Sequence, residues 1–127
     1  MDHHSFATGG HCKDEYFGEH DKLSDRVDGR TAETCNVYNM LKMTRLLFSL
    51  RPDAHYADFQ ELALFNHILA SQDPATGMTC YFVPLGSDPK CRKEYCSPED
   101  SFWCCTGTGL ESHAKYGESI YFHQGDE

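Results

Sequence analysis

Two consecutive stretches with helical periodicity, separated by a corner at residues 51–53, most constrain what this chain can fold into. Between Asn36 and Leu50 apolar residues recur at i, i+3 and i+4, and further apolar residues widen the stripe beyond one face. Pro52 ends this helix, and Asp53 is placed to cap a second helix over 54–71 that carries two apolar stripes. We therefore predict an antiparallel helical hairpin whose helices are both covered on two sides.

The rest of the chain is less regular. Residues 1–31 are mostly polar, contain several glycines and are expected to be loop. Strand formers over 78–85 and a second short stretch over 92–96 predict a β-hairpin. A short helix is expected over 110–116 and a strand-like end over 120–122. The fold class is thus mainly α, with a short β-hairpin inserted or appended.

Length and charge exclude several classes of protein. A chain of 127 residues suffices for one globular domain. Its 20 acidic residues against 11 basic ones, a net charge of −9, argue against a nucleic-acid partner. The longest apolar run, residues 62–65, is far shorter than the roughly 20 residues that span a bilayer. We expect neither nucleic acid nor membrane as a partner.

Seven cysteines are too many for casual use, and their number is odd. Cys104 and Cys105 are adjacent, which makes disulfide pairing awkward and favours metal-binding or catalytic thiolates. Glu33 and Cys35 are expected at the mouth of the first helix, with Thr34 as its N-cap, and the cysteine pair in a turn opened by the nearby glycines. Three thiolates and a carboxylate would make a closed four-coordinate zinc site. The alternative at this stage is that the cysteines are small buried apolar residues.

Four motifs extend over most of the chain and carry a resemblance. They are residues 32–40 (AETCNVYNM), 52–58 (PDAHYAD), 64–70 (LFNHILA) and 101–105 (SFWCC), the last followed by glycines and the run HAKYGE at 113–118. Together they resemble the β-L-arabinofuranosidases of glycoside hydrolase families 127 and 146, and are closer to family 146. The resemblance implies an (α/α)6 toroid and a carbohydrate substrate.

The resemblance also assigns roles to individual residues. It implies that zinc is held by Glu33, Cys35, Cys104 and Cys105, and that Cys104 is the nucleophile. The pattern Gly9-Gly10 followed by Glu15 points to Glu15 as the general acid/base, with Glu19 as the second candidate. Tyr81 is placed near the sugar, although core packing explains a tyrosine there equally well.

The implied chemistry agrees with the residue types. Glycosidases commonly use two carboxylates, and a cysteine that replaces one of them must be a thiolate at neutral pH. Zinc coordination deprotonates a thiol, which leaves a glutamate to protonate the departing oxygen and then to activate water. This two-step route predicts a covalent thioglycoside and retention of the anomeric configuration. Trp103 offers a stacking face for a sugar, although burial of so large a side chain needs no ligand, and His113 is expected to be structural.

The toroid of that family is several times longer than this chain. We therefore expect residues 1–127 to be a fragment of a single glycoside hydrolase catalytic domain, with the rest of that domain as a partner, and inactive alone. Two other functions stay open: a zinc-stabilised module without catalysis, and an inactive remnant. Four cysteines match no site motif, namely Cys12, Cys80, Cys91 and Cys96.

Overall fold

The computed structural model describes residues 3–125 and is mainly helical. The three α-helices are α1 (Thr34–Leu50), α2 (Ala54–Ala63) and α3 (Cys104–Ala114). A π-helical turn (Leu64–Ile68) and a 3-10 turn (Leu69–Ser71) prolong α2, and a further 3-10 turn (Ser24–Arg26) lies in the first loop. Between residues 3 and 125, none of the helices is both long and apolar enough to cross a membrane.

The predicted helical hairpin is present. Asp53 caps α2 by accepting a hydrogen bond from the His55 N–H at 3.0 Å. The core lies between the two helices, where Val37 and Tyr38 of α1 pack against Phe59 of α2. Ala63 and Ile68 complete this core cluster. The hairpin is therefore the scaffold that fixes the start of α1 in space.

Burial of the helices on two sides is not found within residues 3–125. Leu46 and Leu50 on α1 are exposed, as are Phe65 and Leu69 after α2. The predicted stripes after α2 also mix buried and exposed residues. The π-helical turn has more residues per turn than an α-helix. The side chains that follow it therefore point in directions that the α-helical period of 3.6 does not predict. One apolar face of the hairpin thus remains uncovered.

The predicted strands are not formed among the described residues. Backbone pairing among these residues is limited to isolated β-bridges. Where the β-hairpin was predicted, the structure has a single bridge between Cys80 and Tyr95. Glu33 bridges to Phe82, so the segment 79–82 divides its backbone hydrogen bonds among different partners. No two stretches pair for long enough to make a ladder. Residues 120–122 likewise form no strand.

Helix α3 begins at Cys104, six residues before the predicted start. The sequence predicted a turn at Cys104 and Cys105, because Gly107 and Gly109 supply the backbone freedom for one. Gly109 has a packing role: a Cβ at this position would lie 2.5 Å from the Thr79 Oγ1. The absence of a side chain lets α3 pack directly on the segment that contains Thr79.

Candidate metal centre

The start of α1 places Glu33 and Cys35. Glu33 is the N-cap residue with an extended backbone, and Cys35 is the second residue of the helix. The sequence predicted Thr34 as the N-cap, and this is wrong, because Thr34 is the first residue of the helix. Its N–H donates to the Tyr81 carbonyl at 3.0 Å and its hydroxyl donates to the Cys80 carbonyl at 3.2 Å. These bonds tie the start of the helix to the segment 80–82, and so they fix both ligand candidates.

The start of α3 places the two adjacent cysteines. Cys104 and Cys105 are its first two residues, rather than part of a separate turn, and Trp103 is the N-cap. Cys105 is buried, whereas Cys104 is exposed. Both helix N-termini thus point at one region, where the helix dipoles favour negative charge.

Four potential ligands converge between these helix starts. One ligand atom each from Glu33, Cys35, Cys104 and Cys105 lies within 4.8 Å of all the others. The Cys104 and Cys105 sulfurs are 3.9 Å apart, and the Cys35 and Cys105 sulfurs 3.1 Å. The Glu33 Oε1 is 3.6 Å from the Cys105 sulfur. Within residues 3–125 this is the one group of its kind.

The donor set suits a divalent cation. Tetrahedral zinc with Zn–S bonds of about 2.3 Å separates its sulfurs by about 3.8 Å, close to the Cys104–Cys105 spacing. The distance between the Cys35 and Cys105 sulfurs has to increase by about 0.7 Å to reach that geometry. The four residues therefore lie close enough to bind a metal, and three sulfurs with one carboxylate are typical ligands of zinc.

The electrostatics of the cluster reflect crowded acidic groups. Burial raises the pKa of Glu33 to about 7, and the charges of Cys35 and Glu15 act in the same direction. The hydrogen bond from the Cys105 thiol lowers the pKa of Cys35 to about 6, and the same bond together with burial raises the pKa of Cys105. Burial also raises the pKa of Cys104. Without a cation the cluster holds one thiolate readily, and a cation would stabilise several.

Tyr81 connects this cluster to Glu15. Its hydroxyl donates a hydrogen bond to the Glu15 carboxylate and lies 3.6 Å from the Cys104 sulfur. The contact with Glu15 raises the pKa of the Tyr81 hydroxyl. Glu15 is thus one side chain away from Cys104, whereas Glu19 forms its ion pair with Lys22 on the surface.

A family model described as the β-L-arabinofuranosidase GH127 catalytic domain matches residues 1–118. The chain belongs to the GH127 family. No curated protein matches it. Membership assigns a glycoside hydrolase-like role and implies a carbohydrate substrate. In this GH127 chain the four residues of the cluster lie in two of the motifs that carry the resemblance, residues 32–40 and 101–105.

Two residues of this GH127 site were missed by the sequence argument. Thr108 places its Oγ1 2.9 Å from the Cys35 sulfur, and Asn36 donates to the Glu15 carbonyl at 3.5 Å. Thr108 stands four residues after Cys104 on α3, a spacing that marks the same helix face. The spacing of four residues was therefore visible in the sequence, but it could be interpreted only with α3 starting at Cys104.

The remaining cysteines and histidines have structural surroundings. All seven thiols are free. Burial raises the pKa of Cys12 to about 12 and that of Cys80 to about 11, which keeps both protonated and inert. The Cys96 thiol faces the Met78 sulfur at 3.8 Å, and Cys91 is partly exposed. His113 makes a local hydrogen bond with the Gly109 carbonyl at 2.8 Å, the structural role expected for it.

Proposed function

We propose that this chain carries the nucleophile and the metal ligands of a retaining glycoside hydrolase that releases L-arabinofuranose from glycans or glycoconjugates. The observation that carries the proposal is the continuous contact from the metal cluster through Cys104 and Tyr81 to Glu15. It joins a thiol nucleophile to a carboxylic acid within the reach of one substrate.

The proposed metal is zinc, bound by Glu33, Cys35, Cys104 and Cys105, and when bound it keeps the thiols deprotonated. Cys104 is the one exposed thiol of the three, so it is the sulfur that a substrate can reach. Its thiolate attacks the anomeric carbon, forming a C–S bond as the C–O bond to the leaving group breaks. The Glu15 carboxyl gives its proton to the departing oxygen.

In the second half of the reaction Glu15 accepts a proton from water. The hydroxide attacks the anomeric carbon, the C–S bond breaks and Cys104 leaves as a thiolate. Two displacements return the original anomeric configuration. Tyr81, in contact with both groups, fixes the distance between them and reaches the sugar.

The proposed fold around this site is an (α/α)6 toroid of which residues 1–127 form one part. Support comes from the exposed apolar residues of the hairpin, Leu46, Leu50, Phe65 and Leu69, because large apolar patches on a monomer mark surfaces that another element covers. On the basis of residues 101–118, we also propose that the chain is closer to family 146 than to family 127. Alone, it is proposed to be inactive.

Covalent trapping tests this proposal. The metal-loaded protein with its complete catalytic domain is incubated with an arabinofuranose-derived electrophile, and the labelled peptide is identified by mass spectrometry. We expect one label, on Cys104, that is lost in Cys104→Ser. A label on Glu15 or Glu19 in both proteins would mean a carboxylate nucleophile and a purely structural metal. No label, with zinc bound, would favour the zinc-stabilised module, and no label without zinc the inactive remnant.

A further inference from the structure

A cleft of about 560 Å³ opens beside the metal cluster. Its volume falls within the range of about 300 to 1,000 Å³ that is usual for small-ligand sites. Glu15 and Tyr81 line it on the side of the cluster, and the rings of Phe82 and Trp103 line it further out. Trp103 meets Tyr81 edge-on at 6.0 Å, so the cleft offers aromatic faces of the kind that stack on sugars.

Three cations line the same cleft, which is unusual for a chain of net charge −9. They are Arg30, Lys90 and Arg92, against the carboxylates of Glu15 and Glu94. Arg30 pairs with Asp14 and lies over the Phe82 ring at 5.0 Å. Within residues 3–125, neither Lys90 nor Arg92 takes part in an ion pair. Two positive charges therefore remain available to a ligand.

Local hydrogen bonds order the turn that carries these two residues, and one of them holds the Arg92 guanidinium. The Lys90 N–H donates to the Asp88 carboxylate at 2.8 Å, and the Arg92 guanidinium donates through Nε to the Pro89 carbonyl at 3.1 Å. On the other wall, a Cβ at Gly29 would lie 3.4 Å from the Lys90 carbonyl. The turn 88–92 thus packs closely against the loop that carries Arg30, and the three cations share one rim.

The leaving group of the proposed reaction belongs in this cleft. A general acid must lie next to the oxygen that it protonates, and that oxygen connects the arabinose to the rest of the substrate. Because Glu15 lines the cleft, the sugar on the far side of the scissile bond extends between the aromatic rings and toward the cations.

We propose that this cleft selects substrates in which the sugar next to the released arabinose carries a negative charge, as a uronic acid or a sulfated sugar does. This inference rests on the proposed function, because it deepens the substrate class of the same site. Arg92 and Lys90 supply the attraction, and the guanidinium can bind a carboxylate or sulfate through two parallel hydrogen bonds.

The test compares two substrates with the same β-L-arabinofuranosyl bond. In one the neighbouring sugar is a free uronic acid, and in the other it is the methyl ester; a sulfated and a neutral sugar form a second pair. For the metal-loaded protein with its complete catalytic domain we expect kcat/KM to favour the charged member of at least one pair by about tenfold. Arg92→Gln and Lys90→Gln should each reduce that ratio by about three- to fivefold, the scale of exposed ion pairs.

Arg51→Gln is the matched control. Arg51 follows the end of α1, roughly 25 Å along the helix from the metal cluster, and its replacement should leave the ratio unchanged. Raising the ionic strength to about 1 M, where the Debye length is about 3 Å, should shrink the preference in the parent protein.

Calorimetric binding of digalacturonate and of its methyl ester separates this inference from the proposed function. Cleavage of every substrate at the same rate, with no difference in binding, overturns the inference and leaves the glycosidase standing. Binding of the acid that depends on Arg92 and Lys90, without cleavage of any substrate, supports the anionic cleft and overturns the glycosidase.

Discussion

The two ends of α1 differ in how much contact they make with the rest of the chain. At its start, Glu33 and Cys35 are buried and tied by backbone and side-chain bonds to the segment 80–82 and to α3. Toward its end, Leu46 and Leu50 have 65% and 82% of their surface exposed. Residues 3–125 therefore bring four potential metal ligands together, whereas they leave one apolar face of the hairpin uncovered.

The largest expected effect is at the polar end, and it separates the two adjacent cysteines. In the complete catalytic domain, Cys104→Ser should reduce kcat/KM by about 10³-fold or more, because it removes the nucleophile. Cys105→Ser should act through metal affinity, so excess zinc should restore part of the activity. The measurement is steady-state kinetics at increasing zinc concentration. Equal recovery of both variants would break the assignment of Cys104.

The second prediction compares the two faces of the helical hairpin directly. Phe59 is buried against α1, whereas Phe65 has 58% of its surface exposed. In this chain Phe59→Ala should lower the free energy of unfolding by about 3 to 5 kcal/mol, and Phe65→Ala should change it by less than about 0.5 kcal/mol.

Repeating these two substitutions in the complete catalytic domain sharpens the comparison. If further helices cover the apolar face, the cost of Phe65→Ala should rise above about 1 kcal/mol in chemical denaturation. An unchanged cost in the larger protein would mean that this face stays open to solvent, and would count against the toroid.

The hairpin could be predicted from the sequence, and the segments around it could not. Helical periodicity and the Asp53 cap are local signals, and α1 and α2 followed them. The start of α3 was missed because the glycines at 107 and 109 were interpreted as part of a turn, and the close packing of Gly109 on Thr79 is a tertiary contact that no local pattern reports. The expected strands failed because the segment 79–82 pairs with several partners at once.

The four residues of the metal cluster could likewise be predicted from sequence motifs, but the geometry around them could not be predicted from the sequence. No local pattern reports that the Tyr81 hydroxyl contacts both Glu15 and Cys104, since these residues are far apart in the chain. Positive φ angles at residues such as Glu15 shape the first loop, and helix or strand periodicity carries no signal for them.

A third prediction tests the Tyr81 connection. Tyr81→Phe keeps the ring and removes the hydroxyl, so kcat should fall by about 10- to 100-fold, the usual scale for a residue that orients a catalytic group. Zinc content should be unchanged, because Tyr81 is outside the four-residue cluster. Loss of zinc along with activity would instead make Tyr81 a support of the metal site.

The last of these predictions concerns pH and the buried His67. Burial lowers the pKa of His67 to about 3, well below its value of about 6.5 in an unfolded chain. The folded state therefore binds fewer protons, and the stability contributed by neutral His67 is complete above about pH 6.5 and is lost as pH falls toward 3. The slope should reach about 1.4 kcal/mol per pH unit.

Denaturation of the metal-free, reduced chain at several pH values checks this prediction. His67→Gln removes the titrating group and should flatten the dependence between about pH 6 and 4 relative to the parent. His123→Gln, at an exposed position, is the control and should leave the slope unchanged. Identical slopes in all three proteins would show that His67 is not held neutral by burial.

X-ray absorption at the zinc edge tests directly whether Glu33, Cys35, Cys104 and Cys105 form one metal centre. The protein loaded with one equivalent of zinc should show three sulfur neighbours at about 2.3 Å and one oxygen at about 2.0 to 2.2 Å. Cys35→Ser, which alters a buried ligand, should reduce the sulfur count to two. A spectrum with only nitrogen and oxygen neighbours, or one that Cys35→Ser leaves unchanged, would contradict the account.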